Sequence, residues 1–295
     1  MSITNFNFII TVLFIFLCNS ILGQTKMDSI AKTNTYFSVD LNFISDAVFM
    51  GRKDSISAPY IYPSITYHHA SGFYTKGSFS YLTSSNDNRI DLFLITAGFD
   101  FTIKKFNGDI SVTKYFFNED SYNVISEVEA DLTANARYDF TNIINLSITA
   151  STYFNNNSGS DFFLSSELSH DFITTNQKFQ FSPTIGVYLG SQNFYEEYYM
   201  NDRFGNGSRG NGQDSQSTIP QTNTIISVQE SENINLMAIE LSLPIWYSQK
   251  SLTISFLPTL VIPQNEANLV IDETLVKEDL KETLYWMVGF SYKFN

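Results

Sequence analysis

The sequence predicts an all-β protein: an antiparallel transmembrane β-barrel of about twelve strands after an N-terminal signal peptide. Apolar and polar residues alternate through many segments of about 9 to 15 residues, which is the period of a strand with one apolar face. The 295-residue chain is 43% hydrophobic, 16% aromatic and 16% charged, with a mean hydropathy of −0.09. This balance excludes a helical membrane bundle, and the aromatic content excludes a disordered chain.

The first 23 residues are expected to form a signal peptide that is cleaved near Gly23. An unbroken apolar run from Ile9 to Leu17 follows a polar start, and small residues come after it. The start lacks Lys and Arg, so an uncleaved anchor helix is the alternative. A lipoprotein through Cys18 fits less well, because Leu17 is large. Residues 24–295 then form one exported barrel domain in the cell outer membrane, without cysteine and therefore without disulfides.

The alternation predicts twelve strands, and an even number is typical of bacterial single-chain barrels. In the clearest segment, Val124 to Phe140, one parity is apolar and the other is rich in charge. The expected strands are 36–49, 59–70, 72–83, 89–102, 108–118, 122–140, 143–154, 161–172, 177–190, 233–247, 251–262 and 282–294.

The connections alternate between short turns and longer loops, as periplasmic turns and extracellular loops do. Two long loops are expected outside the cell, at 191–232 and 263–281, and the stretch 205–212 has no strand or helix pattern. The last strand alternates from Leu284 to Phe294, which resembles the aromatic-ended signal for the barrel assembly machinery, although Asn295 follows. A soluble sandwich or lipocalin-like barrel is the alternative, and it would bury the apolar parity instead.

Three stretches are rich in aromatic residues and asparagine or serine: Tyr60 to Leu82, Thr113 to Asn118 and Gln192 to Tyr199. In these stretches the chain resembles Bacteroidota-type outer-membrane β-barrel proteins, and the similarity spans the mature chain. That group is largely without assigned activity. The resemblance therefore implies a location and an architecture, and it brings no functional residues.

The polar parity is expected to face the lumen. Glu127, Glu129 and Asp131 would form one acidic column there, which suggests a wall that attracts cations. The alternative is a structural interior in which Lys76, Arg137 and Lys293 neutralise the column. Other acids of the inward parity outnumber these bases: Asp40, Asp46, Asp100, Asp109, Asp139, Glu167, Asp171 and Glu240.

Lys114 shares its parity with the apolar residues Val112 and Phe116, so it breaks the pattern of its strand. A bulge that turns Lys114 inward is the favoured explanation. Snorkelling of an outward Lys114 to lipid phosphates is the alternative.

Catalytic and metal chemistry find little support. His68, His69 and His170 are expected at the periplasmic end, away from the extracellular leaflet where a lipid-facing Ser–His site would act. Soft-metal spacing is absent, and no cofactor is expected. The acidic loop stretches 196–197, 230–232 and 272–273 lack a fixed calcium-loop pattern, so solvated loops are favoured over Ca²⁺ sites.

The leading functional hypothesis is a narrow, cation-leaning pore or uptake channel for a small cationic or neutral solute. The alternative is a non-conducting barrel whose loops bind a partner or glycan, with the tyrosine-rich segment 193–203 as one contact. A lipid-facing enzyme is a third and weaker hypothesis, so the chain is expected not to be an enzyme. Outer-membrane lipid and lipopolysaccharide are the expected surroundings, and the net charge of −13 argues against nucleic acid.

Overall fold

The computed structural model describes residues 34–53, 57–83, 88–118, 121, 123–126, 128–140, 143–155, 159–194, 226–271 and 274–294. The expected signal peptide, the stretch 205–212 and Glu127 lie outside these residues. In the described ranges no helix is long and apolar enough to cross a membrane.

Eighteen strands are present in the described part of the chain, and fifteen of them form one antiparallel sheet. The sheet contains β1 (Tyr36–Ile44), β2 (Tyr60–His68), β3 (Phe73–Thr83), β4 (Asn88–Ile103), β5 (Phe106–Phe117), β6 (Val128–Asp139), β7 (Asn145–Asn155), β8 (Asp161–Ser169), β9 (Phe172–Ile173), β10 (Phe179–Phe181), β11 (Thr184–Gly190), β13 (Asn235–Ser242), β14 (Ile245–Gln249), β15 (Leu252–Pro263) and β18 (Thr283–Phe294). A separate small sheet contains β12 (Ile226–Val228), β16 (Asn268–Ile271) and β17 (Thr274–Lys277).

The large sheet closes into a barrel because its first and last strands pair. β1 runs antiparallel to β18, with Phe37 opposite Phe294 and Ile44 opposite Met287. β11 joins β13, and β13 joins β15, which completes the ring. A closed ring leaves no edge strand, which is the condition for a sheet to stand in lipid.

Three strands of the barrel wall are each interrupted once, so that each consists of two segments: β8 with β9, β10 with β11, and β13 with β14. Pro183 and Pro244 stand at the last two interruptions, and a proline has no N–H to donate to the sheet. Counted by wall position, the barrel therefore has twelve strands, which confirms the fold class and the strand count predicted from alternation.

The two faces of the wall follow the predicted parity. On β1, Phe37, Val39 and Leu41 are 45–52% exposed, while Ser38 between them is buried. The same apolar parity is exposed on the other long strands, including Ile110, Val112, Phe290 and Tyr292. An apolar outer belt around a polar interior is the pattern of outer-membrane barrels, and it is the reverse of a soluble barrel.

Turns at 69–72, 104–105 and 250–251 lie at the same end as the start of β1 and the end of β18, here called the short-turn end. The opposite end, the loop end, carries the longer connections and the small sheet. Segment 263–281, predicted to be a loop, contains the hairpin β16–β17, and β12 pairs with β16.

An apolar cluster, here called the mouth core, lies at the loop end. Phe49 and Phe194 come from loops, and their rings contact Phe163 of β8 at centroid distances of 5.2 and 5.7 Å. Wall residue Tyr153 contacts both Phe49 and Phe163. The buried members of the mouth core are Val124, Ile125, Val128, Phe163, Phe194, Val228 and Ala267.

Candidate functional site: the barrel lumen

The lumen is lined by carboxylates that accept hydrogen bonds from tyrosine hydroxyls. Tyr74 Oη donates to Asp109 Oδ2 at 2.9 Å, Tyr115 Oη to Asp131 Oδ2 at 2.8 Å, and Tyr188 Oη to Glu167 Oε1 at 2.6 Å. Tyr60 donates to Asp91 in the same way. These donors are neutral, so they satisfy the carboxylate oxygens without cancelling the negative charge.

Glycines make room for two of these tyrosine rings. A Cβ atom at Gly98 would lie 2.4 Å from Tyr74 Cζ, and one at Gly186 would lie 2.7 Å from Tyr188 Cε2. Each ring therefore lies flat against the backbone of a glycine on the way to its carboxylate. A side chain at either glycine would displace the tyrosine ring, and the hydrogen bond from the tyrosine to its carboxylate would be disturbed.

Glu167 lies on β8 and Glu240 on β13, the two strands that flank β11. Both are directly opposite Gly186 of β11. The hydroxyl group of Tyr188, two residues further along β11, donates a hydrogen bond to Glu167. This part of the lumen brings together two acids across β8, β11 and β13.

Of the predicted acidic column, Asp131 lies in the lumen wall. It is 4% exposed, and Thr133 Oγ1 donates to its Oδ1 at 2.7 Å in addition to the bond from Tyr115. Glu127 lies outside the described residues.

The prediction that Glu129 faces the lumen is wrong. The pairing of β6 with β7 shifts between Val128 and Ala130, so Glu129 is the extra residue of a β-bulge. Its Oε2 lies 3.1 Å from Lys114 Nζ, and Lys114 in turn lies near the ring of Phe116 on the outer face. A bulge changes the face on which a residue lies, so Glu129 leaves the parity of Asp131.

The favoured prediction for Lys114 is wrong for the same reason. β5 pairs with β4 and β6 without interruption near Lys114, which therefore keeps the outward parity of Val112 and Phe116. The bulge lies in the neighbouring strand, and it supplies a carboxylate to the lysine rather than turning the lysine inward.

The three predicted counter-charges lie in the lumen wall, but their partners there are other residues than Asp131. Arg137 Nη2 lies 3.0 Å from Asp171 Oδ2, and Lys293 Nζ lies 3.6 Å from the ring centre of Tyr36. Lys76 has the inward parity of β3. Within the described ranges none of the three forms an ion pair with Asp131.

A polar cavity of about 430 Å³, here called the short-turn cavity, opens in the lumen near the short-turn end. Its charged and aromatic lining consists of Tyr36, His68, Asp100, Phe101, Asp109 and Lys293, and Asn34, Asn107 and Asn135 add amide groups. The rings of Tyr36 and His68 stack at 4.8 Å, and His68 Nε2 lies 2.9 Å from Asp100 Oδ2. Strand parity predicted that Asp100 and Asp109 face the lumen. It did not predict the contact of Asp100 with His68, because β3 lies between the strands that carry these two residues.

At the loop end, a buried carboxylate fixes the start of the 191–232 segment. Asp161 is fully buried and accepts hydrogen bonds from Ser191 Oγ and from the backbone N–H groups of Asn193 and Phe194, at 2.7 to 2.8 Å. Asn155 Nδ2 donates to the same carboxylate. These bonds hold Phe194 inside the mouth core.

A buried ion pair fixes a second loop connection. Arg52 Nη2 lies 3.3 Å from Glu278 Oε2, with both side chains at most 2% exposed. Arg52 also donates to the backbone oxygens of Met50 and Asn265, and the N–H of Ala267 donates to Glu278. The pair joins the first loop to the loop that carries β16 and β17. Sequence reasoning missed it, because 226 residues separate the partners.

In the part of the chain that the structure describes, no three His, Cys, Asp or Glu side chains are grouped as metal ligands would be.

No family model matches the sequence, and no curated protein matches it. Among solved structures, the KdgM porin is similar with a TM-score of 0.46 at 12% identity, over 88% of this chain and 99% of that chain. The NanC porin has a TM-score of 0.46 at 9% identity, over 88% and 100%. The translocator domain of the autotransporter NalP from Neisseria meningitidis has 0.44 at 10% identity, over 96% and 97%.

All three TM-scores are below 0.5, so the class of the protein rests on the strand pairing and the two faces described above. That class is a twelve-stranded outer-membrane-type β-barrel with an acidic, tyrosine-rich lumen.

Proposed function

We propose that the protein is a narrow outer-membrane channel with a preference for cations, closed in its resting state by the mouth core at its loop end. The observation that supports this proposal is the way the lumen carboxylates are satisfied. Asp109, Asp131 and Glu167 accept hydrogen bonds from neutral tyrosines, so their charges remain to act on solutes.

If the lumen carboxylates served only the stability of the barrel, they would be expected to have different partners. A buried carboxylate that serves only stability is expected to be paired with a cation or enclosed by several hydrogen-bond donors, as Asp161 is, because an unpaired charge in a low-dielectric wall is expensive. Asp171 follows that rule through Arg137. Asp109, Asp131 and Glu167 have no cationic partner among the described residues, and rings of acidic side chains are how cation channels select their ions.

The lumen of a twelve-stranded barrel lies between the filled interior of eight strands and the open channel of 16 to 18 strands. A channel of this size therefore suits small cationic or neutral solutes. The proposal includes the outer membrane as location, with lipid and lipopolysaccharide around the apolar belt and the barrel assembly machinery acting on β18. It includes no catalytic step, and a Bacteroidota source stays a prediction.

The mouth core favours a second candidate function. Loop residues Phe49 and Phe194 are packed between wall residues, and such packing also suits a permanently closed barrel whose outer loops bind a partner or glycan.

Planar-bilayer recordings on the refolded mature chain separate the two candidates. Wild type is expected to conduct in rare openings, and Glu278→Gln, which weakens the loop connection to Arg52, is expected to open more often. In a salt gradient, the reversal potential of the double variant Asp131→Asn, Glu167→Gln should show a reduced cation preference. The matched control is Glu129→Gln, which removes one charge from the outer face and should leave selectivity unchanged.

Absence of conductance in both wild type and Glu278→Gln would refute the channel and leave the loop-binding function. Conductance with the same selectivity in the double variant and in wild type would refute the cation preference alone.

A further inference from the structure

We propose that the short-turn cavity is a binding site for a small zwitterion that carries its ammonium and carboxylate groups at opposite ends, such as a dipeptide. The inference deepens the proposed function, because it assigns a solute class to the lumen. Its central feature is that groups of both charge signs line one cavity while none of them is fully satisfied by the protein.

The acidic side of the cavity consists of Asp100 and Asp109, which are directly opposite each other on β4 and β5. Like charges in directly opposite positions destabilise a sheet. Each carboxylate has one protein partner, at Oδ2: His68 for Asp100 and Tyr74 for Asp109. The Oδ1 atoms are left for a ligand, and an ammonium group between the two carboxylates would remove their repulsion.

His68 fixes the position of the acidic side of the cavity. Its side chain lines the cavity and is only 3% exposed, yet its Nδ1 has no hydrogen-bond partner. Its Nε2 is held by Asp100, and its ring is stacked between Tyr36 and Tyr74. Because Nδ1 is buried, a ligand in the cavity does not contact it; the ring instead holds the Asp100 carboxylate in place at the cavity wall.

The basic side of the cavity is Lys293. Its ammonium lies over the ring of Tyr36 and forms no ion pair with a carboxylate among the described residues. A lysine that stacks on an aromatic ring keeps its charge and its donors for an incoming anionic group. The stack of Tyr36 on His68 separates this ammonium from Asp100, so a ligand that reaches both sides needs its charges at opposite ends.

The size and position of the cavity fit this class of ligand. Its volume of about 430 Å³ lies within the range of about 300 to 1,000 Å³ found for small-molecule sites. Asn107 and Asn135 add amides that suit the peptide group of a dipeptide. The cavity lies at the short-turn end, away from the mouth core, so binding there does not need the mouth to open.

Isothermal titration calorimetry on the full mature chain, folded in detergent, tests the proposal with the dipeptide Ala-Ala and two blocked forms. N-acetyl-Ala-Ala lacks the ammonium, and Ala-Ala-amide lacks the carboxylate. We expect Ala-Ala to bind, and each blocked form to bind more weakly on the order of tenfold, since each loses one charge-assisted contact.

Variants assign each contact to its side of the cavity. Asp100→Asn should weaken the binding of both Ala-Ala and Ala-Ala-amide. Lys293→Gln should weaken Ala-Ala but leave Ala-Ala-amide unchanged. Asp40→Asn and Lys76→Gln are the matched controls, because they remove the same charges from lumen positions that do not line the cavity.

Equal binding of Ala-Ala and Ala-Ala-amide would overturn the zwitterion and leave a simple cation site. No binding of any form, or equal losses in the control variants, would overturn the site. The blocked ligands test wild type alone, so the proposal stays falsifiable if a variant does not fold. Binding without conductance would refute the channel and leave this site standing, and conductance without binding would do the reverse.

Discussion

Replacing Glu278 by glutamine should release the loop that carries β16 and β17 while the barrel stays folded. The substitution keeps the shape of the side chain but leaves the Arg52 guanidinium buried without its carboxylate, which lies 3.3 Å away in the native protein. Removing one partner of a buried ion pair costs about 3 to 5 kcal/mol. Because about 1.4 kcal/mol is a factor of ten, the equilibrium for opening of this loop should rise roughly 100- to 4,000-fold.

The amide of Ala267 reports this opening directly, since it donates to Glu278 Oε2 at 3.1 Å. Its hydrogen-exchange rate, followed by mass spectrometry or NMR in micelles, should rise by the same factor, because exchange through local opening follows the opening equilibrium. The double variant Arg52→Met, Glu278→Met removes both charges of the pair, and its Ala267 amide should exchange more slowly than in Glu278→Gln.

Lys277→Gln is the control, because Lys277 forms a solvent-exposed pair with Glu266 in the same loop. Exposed pairs contribute about 0 to 1 kcal/mol, so the Ala267 amide should exchange nearly as in wild type. If Glu278→Gln and Lys277→Gln behaved alike, the buried pair would not hold the loop, and the explanation for the closed mouth would have to be abandoned.

Three further predictions concern the wall. Ala134→Arg places a charge on the outer face and should cost about 2 to 4 kcal/mol near the bilayer midplane, whereas Thr133→Arg faces Asp131 in the lumen and should be tolerated; unfolding in guanidinium from liposomes measures both. Gly98→Ala should destabilise the barrel by about 1 to 3 kcal/mol because the added Cβ meets a tyrosine ring, and Gly77→Ala, which has open space, should not. Lys114→Met should destabilise more than the double variant that also replaces its carboxylate partner by methionine, and equal losses would show that the outer ion pair contributes nothing.

The barrel was predictable from the sequence because strand alternation is a local signal. On β18, every second residue from Leu284 to Phe294 is apolar, and these residues are outward in the structure. Closure follows, because a row of such strands in lipid is stable only without free edges. Pairing of β1 with β18 was therefore implied, although no residue pattern specifies it.

The error at Glu129 has a physical cause. A β-bulge adds one residue to a strand, and the parity on both sides of it remains regular when each side is examined alone. Val128 and Asp131 thus both lie on the inner side of β6 although their spacing is odd. The one available signal was Lys114 on the apolar parity of the neighbouring strand. It indicated an irregularity nearby, but not in which strand.

The loop contacts were not predictable, because they depend on pairs far apart in sequence. Arg52 and Glu278 lie in segments with no shared pattern, and Asp161 looks like an ordinary strand end until the backbone of Asn193 and Phe194 folds onto it. The polar composition of these loops predicts exposure to water, whereas Phe49 and Phe194 pack their rings against wall residue Phe163.

The distribution of donors in the lumen ties stability to the proposed selectivity. A carboxylate in a wall needs hydrogen-bond donors, and an arginine or lysine would supply them while removing the charge from the lumen. Cationic partners occur toward the ends of the described barrel, as with Arg137 and Asp171 at the short-turn end and Arg89 and Asp91 at the loop end. Between the ends, Tyr115 and Tyr188 supply neutral donors to Asp131 and Glu167. The same hydrogen bonds that make these acids tolerable in the wall therefore preserve the negative potential that a cation would meet.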